Sequence, residues 1–273
     1  SSLNGIVSTP RCPLGVCVPT PVADEIIRVV DENQIVVAEA VTHSDLSLDP
    51  ISLPGFYEAI GIPAGTYKIQ FWKSENEINP SKEISGYTFN ECEAKTENAC
   101  FSSLNGQVGS VPCVAGACVP IQNQLVRLVD EVGSTVAETN TDVIGNYHFG
   151  NLKTGNYKVQ FKDPPIKEFS VAVTEDCEGK MQNLCYSSLS GVVTTNPCAF
   201  GVCTLVNNGS VRIVSNGVTI ASANTVLGAY SISGIPPGTY TIEFRKSGVT
   251  NPSATEPGYV IGDCQVKLLS RKI

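Results

Sequence analysis

The chain has 273 residues, with 18 Lys and Arg against 26 Asp and Glu and a formal net charge of -8. That length allows one large domain or two to three small ones. No basic cluster is interleaved with aromatics, which speaks against nucleic-acid binding because such affinity rests on neutralising phosphates. No apolar run approaches the roughly 18 to 20 residues that span a bilayer.

In chain order, the first predicted strand lies in "SSLNGIVSTPRCPLGVC" at residues 1–17, followed by "IIRVVDE" and a hairpin "GFYEAIGIPAGTYKIQFWK". A stretch near residues 43–54, beginning within "THSDLSLDP", is peculiar to this part of the chain. The same words then return as "SSLNGQVGSVPCVAGAC", "LVRLVDE" and "GNYHFGNLKTGNYKVQFKD". They return again as "SSLSGVVTTNPCAFGVC", "SVRIVSN" and "GAYSISGIPPGTYTIEFRK". Self-similarity at a regular period identifies an array of like units.

Within each hairpin the apolar period is two. Tyr67, Ile69 and Phe71 alternate with Lys68, Gln70 and Trp72; Tyr157, Val159 and Phe161, and Tyr240, Ile242 and Phe244, repeat the pattern. One face is predicted to be core and the other wet. Arg28, Arg127 and Arg212 recur in register and are expected to share an outward face with Val30, Val129 and Val214. No helical stripe appears, so the expected fold is all-β: three tandem Ig-like or prealbumin-like β-sandwiches of about seven strands, at residues 1–97, 98–184 and 185–273.

The pattern G-x-V, an apolar-Arg-apolar strand, G-x-Y and G-[TN]-Y-x-[VI]-x-F resembles the carboxypeptidase regulatory-like, collagen-adhesin B and serine-aspartate-repeat B families. The resemblance covers all three units, and it implies stalks, spacers or pilus shafts outside the cell. It specifies a fold better than a function. Collagen-adhesin domains often place an isopeptide-forming Lys in the first strand, whereas "SSLNGIV", "SSLNGQV" and "SSLSGVV" have none. "LPGF" at residues 53–56 lacks the Thr-Gly of a sorting motif.

Eleven cysteines at repeated spacings point to an oxidising, extracellular setting. Opening on Ser rather than Met is read as a removed signal peptide or a fragment of a longer chain. The C-x4-C pairs Cys12/Cys17, Cys113/Cys118 and Cys198/Cys203 are read as local disulfides bracing the loop after the first strand. Two schemes remain for the others. The preferred one joins Cys100 to Cys177 and Cys185 to Cys264, which leaves Cys92 odd, its partner expected two places before Ser1 or on another chain. The alternative joins Cys92 to Cys100 and Cys177 to Cys185, which leaves Cys264 alone and requires a hairpin in each short segment.

Catalytic groups are sparse. His43 sits beside Ser44 and Asp45, but consecutive loop residues do not converge as a triad does; His148 is read as a solvated strand residue. The cysteine spacing is not that of a zinc site. Asp45, Asp49 and Asp142 lack the alternation of a calcium loop. Trp72 and His43 mark a candidate contact surface with the 43–54 insertion, and Asn208 in "NGS" is a glycosylation sequon. The expectation is a non-enzymatic, cofactor-free surface protein: a stalk, adhesin shaft or filament subunit. Its expected partners are copies of itself, joined through an edge strand or head to tail, or other surface proteins or glycans. The alternative is a binding module that recognises a glycan or protein through Trp72 and the insertion.

Overall fold

The structure is a computed structural model that describes residues 1–12, 16–44, 53–114, 117–162, 167–196 and 202–273. Among them there is no helix. The first unit runs β1 (Ser2–Arg11), β2 (Val18–Pro21), β3 (Ile26–Val30), β4 (Val36–Val41), β5 (Phe56–Ile60), β6 (Gly65–Trp72), β7 (Lys82–Phe89), β8 (Ala94–Thr96) and β9 (Ala99–Cys100). The second runs β10 (Ser102–Val114), β11 (Ala117–Pro120), β12 (Leu125–Asp130), β13 (Thr135–Asn140), β14 (Asn146–Leu152), β15 (Gly155–Lys162), β16 (Lys167–Val173) and β17 (Gly179–Met181). β18 (Leu184–Thr194) leads into the third, with β19 (Ser210–Ser215), β20 (Val218–Asn224), β21 (Ala229–Ile235), β22 (Gly238–Arg245), β23 (Ala254–Ile261), β24 (Val266–Leu268) and β25 (Arg271–Lys272).

Each unit packs a four-stranded antiparallel sheet, β4-β3-β6-β7 in the first, against a second sheet built around its opening strand. The residues that alternate along the hairpins fill the space between. Ile69, Phe71, Val159, Phe161, Ile242 and Phe244 are fully buried, and each unit has its own apolar core. Val30 and Val129 keep the outward register of Arg28 and Arg127, opposite Lys68 and Lys158, yet both are buried there. Gln70 is buried on the outer face, where it donates to Glu83 Oε2 at 2.8 Å.

The repeated opening words have a common cause. Ser1, Ser102 and Ser187 each donate Oγ to a carbonyl (Asn90, Glu175 or Gly262) at 2.6 to 2.7 Å. Each also accepts the backbone N–H of Glu93, Glu178 or Gln265, the residue after the turn cysteine. From the next residue on, the first strand runs parallel to the final one. The final strand is split at this crossing into β8 and β9, or their counterparts, which raises the segment count above the expected seven.

Gly5, Gly106 and Gly191 stand at the crossing, and a Cβ on any of them would collide with the carbonyl of Glu97, Gln182 or Leu269. Those carbonyls are engaged by the hydroxyls of Tyr57, Tyr147 and Tyr230 from the G-x-Y strand. Across the interruption a side chain replaces the missing ladder bond: Asn98 and Asn183 Oδ1 accept Ile6 N and Gln107 N at 2.8 Å, and Ser270 Oγ accepts Val192 N at 3.1 Å.

Candidate functional site

The chemistry of this protein gathers at the seams between its units. Ala99 and Phe101 complete the first core, and Leu184 and Tyr186 complete the second. Ser102 and Ser187 then open the next unit directly. β18 makes the continuity explicit: Leu184–Tyr186 pairs parallel with β10 of the second unit, while Ser187–Val192 pairs with β21 of the third. A single sheet therefore contains strands from both units.

Disulfides lie on the same seams. Cys100, at the end of the closing strand of the first unit, is bonded to Cys177 in the second; their Cα atoms are 5.1 Å apart. Cys185, in the closing part of β18, is bonded in the same way to Cys264 of the third, with a Cα separation of 5.2 Å. Cys177 and Cys264 occupy left-handed turn positions, with φ of 62° and 50°. Cys92 occupies the equivalent turn, with φ of 54°, and is exposed and free.

The local bridges Cys12–Cys17 and Cys113–Cys118 span five residues each, with Cα separations of 3.8 and 3.9 Å. Cys203 is disulfide-bonded, and Cys198 lies outside the described residues. The first of these bridges is also a packing element. A Cβ on Gly179 of the second unit would lie 2.5 Å from Cys12 Sγ and 2.6 Å from Cys17 Sγ, so the bridge rests directly on that backbone.

Polar contacts complete the first seam. Asn105 Oδ1 accepts Cys12 N at 3.4 Å and lies 2.8 Å from His148 Nδ1. His148 is therefore half-buried at a junction rather than solvated as the sequence suggested. Burial and the nearby Arg11 hold its pKa below the usual imidazole value. Lys82 pairs with Asp176 at 2.7 Å, and Lys153 Nζ donates to the Pro80 carbonyl at 2.9 Å. Buried beneath them, Glu25 accepts a hydrogen bond from Asn151 Nδ2. Burial, reinforced by Glu77 and opposed by Lys73, pushes its pKa up to about 7.

The second seam follows the same plan with different residues. Ser110 Oγ accepts Gly234 N at 2.9 Å, and Lys167 pairs with Asp263. Neither seam was identified from the sequence. One signal for it is Asn151, which stands where the other hairpins have Gly61 and Gly234, all three with positive φ.

The remaining candidates stand apart from one another. Trp72 donates Nε1 to Gln70 Oε1 at 3.2 Å, with the Arg28 guanidinium 5.3 Å from its ring centre. His43 stacks instead on Phe56, with ring centres 6.3 Å apart. Asp45, Asp49 and most of the 43–54 insertion lie outside the described residues. Asp142 Oδ1 is occupied in its own turn, accepting Ile144 N and Asn146 N. Arg28 and Arg127 pair across strands with Glu39 and Glu138, while Arg212 lies opposite Ser222. Asn208 is exposed in a turn.

Comparison with known proteins places a match to the SdrD B-like domain at residues 115–189. The bone sialoprotein-binding protein of Staphylococcus aureus (strain MRSA252) is 40% identical over 57 residues, which is 20% of this chain and 5% of that protein. The chain thus spans about one twentieth of the length of that curated relative. Among solved structures, the Bacillus anthracis TIE protein is similar at 18% identity and a TM-score of 0.29, over 100% of this chain and 50% of that one. A streptococcal ancillary pilin is similar at 11% and 0.29, over 100% and 99% of the two chains. The major pilin subunit of Bacillus cereus is similar at 11% and 0.25, over 99% and 98%. Over residues 115–189, which take in most of the second unit and the opening of the third, the chain resembles the SdrD B-like domain.

Proposed function

We propose that this chain is a non-catalytic, extracellular shaft segment whose units are joined stiffly enough to hold a partner at a distance. The observation that carries this reading is the double fastening of each seam. At the second seam the closing strand of one unit continues as the opening strand of the next, at the first Phe101 alone separates the two, and a disulfide ties each closing strand to the following unit. Flexible attachment would instead call for a Gly/Ser-rich or polar linker between cores. Here Phe101 and Tyr186, each the last core residue of its unit, are followed at once by Ser102 and Ser187.

The same wiring makes a mechanical prediction. Tension along the chain reaches the second unit at Cys100 and leaves it by way of Cys177, so the 77-residue separation is bypassed by the disulfide. Single-molecule pulling of oxidised protein is expected to extend the first unit alone. Reductant should add two further steps, each of about 250 Å at the usual extended rise per residue. Three full-length steps under oxidising conditions would count against a shaft that bears load through its disulfides.

Cys92 is the matching turn cysteine of the first unit, and we take it as the point where a neighbouring chain or unit is joined. Air oxidation of concentrated protein should give a dimer that is dissolved by reductant and absent from Cys92→Ser. A monomer whose thiol stays unreactive under those conditions removes this part of the reading.

A further inference from the structure

Glu25 is 1% exposed, and its carboxylate Oε1 accepts the amide N–H of Asn151 across the first seam. Its second oxygen, Oε2, has no hydrogen-bond partner, and neither has Asn151 Oδ1. Two bare acceptors on one bonded pair cannot serve each other, because neither carries a proton. A neutral carboxylic acid changes this. Its O–H donates to the amide oxygen while its carbonyl keeps the amide N–H, so one added proton satisfies both atoms.

Asn151 is suited to the task. Its φ of 54° belongs to the left-handed region, where Gly61 and Gly234 stand in the other hairpins. Asparagine tolerates that conformation better than most side chains and adds an amide that glycine lacks. The second seam has no counterpart: Gln124 replaces Glu25, and Gly234 replaces Asn151. We propose that Glu25 and Asn151 form a proton-operated latch, which tightens the first junction in mild acid and loosens it at alkaline pH.

The charged surroundings set the direction. Glu77 disfavours the Glu25 carboxylate and Lys73 favours it more weakly. Lys153 reaches the Pro80 carbonyl from the second unit, and Lys82 and Asp176 pair nearby across the same seam. The Glu25 pKa rises from 4.5 to about 7 in the assembled chain. The contribution is therefore fully present below 4.5 and is lost as pH rises through 7. His148, beside Arg11, has a lowered pKa, so protonation there opposes assembly as pH falls below its ordinary value of 6.5. Comparing the wild type with Glu25→Gln cancels the His148 contribution, and glutamine imitates the neutral acid.

Hydrogen exchange of the full chain, corrected for intrinsic rates, tests the latch. Between pH 6 and 8 the amides of Asn146–Leu152 in the wild type should lose about tenfold in protection relative to Glu25→Gln, the equivalent of one pKa unit of coupling. Glu25→Gln should keep only the opposite trend of His148, and Ala229–Ile235 at the second seam should be flat in both proteins. If the variant fails to fold, carboxyl-carbon NMR of the wild type reads the Glu25 midpoint directly, with about 7 expected. A Glu25 midpoint near 4.5, the same pH response in Glu25→Gln, or an equal response at both seams overturns the proposal.

Discussion

Replacing both Cys100 and Cys177 by serine is expected to destabilise the second unit by about 4 to 5 kcal/mol. The bridge closes a separation of 77 residues, and chain-entropy treatment of such a loop gives a loss of about 4.5 kcal/mol. For a unit of this size that corresponds to a fall in Tm of about 20 °C or more. Calorimetry of the oxidised double variant should show the transition of the second unit separating below that of the third, whose Cys185–Cys264 bridge is untouched. Serine keeps the size of the side chain, so little of the loss can come from packing. A shift under about 5 °C, together with a peptide map joining Cys92 to Cys100, would instead establish the local pairing scheme.

The second large effect is expected from a single methyl group. Gly106→Ala places a Cβ against the Gln182 carbonyl and the ring of Tyr147, with ring atoms at 2.6 and 2.7 Å. Neither neighbour can retreat easily: the carbonyl belongs to the interrupted final strand, and Tyr147 is buried between sheets. Overpacking of this kind costs about 3 kcal/mol. Tyr147→Phe, which keeps the ring but removes the donor to that carbonyl, should cost about 1 to 3 kcal/mol. Urea denaturation of the two single variants and the double variant forms a cycle. The double variant should lose less than the sum, because both changes act on the same crossing. A Gly106→Ala protein as stable as the wild type would show that the crossing is not close-packed.

The sequence made the strands and the repeat legible because those depend on nearest neighbours. Ile69, Val159 and Ile242 announce a buried face by their period, and Gly5, Gly106 and Gly191 announce a shared constraint by their register. What could not be read was anything decided by a neighbour distant in the chain. Val30 faces outward with Arg28 as its period says, yet it is buried there, which the local alternation does not encode. His148 looked like a solvated strand residue because Arg11 approaches it only once two units are joined. Glu25 is 126 residues from Asn151, and just before β3 it passes for an ordinary acidic residue. Repetition also hid the seam, since aligning like with like draws attention to what recurs. The fastening of the first seam depends on what does not recur: glutamate for glutamine, and asparagine for glycine.

The ion pairs across the seams give the array a direction. Lys82 meets Asp176, and Lys167 meets Asp263, in each case a lysine of the earlier unit and an acid of the later one. The third unit has Ala254 where the other two have lysine, and the first has exposed Glu91 where the other two have aspartate. An exposed pair of this type contributes no more than about 1 kcal/mol, yet its sign favours one neighbour over another. Transposing the first and third units would set Ala254 against Asp176 and Lys167 against Glu91, leaving one seam uncharged on its leading side. Units that share a fold are therefore not interchangeable beads, and their order is written on the faces they present to each other.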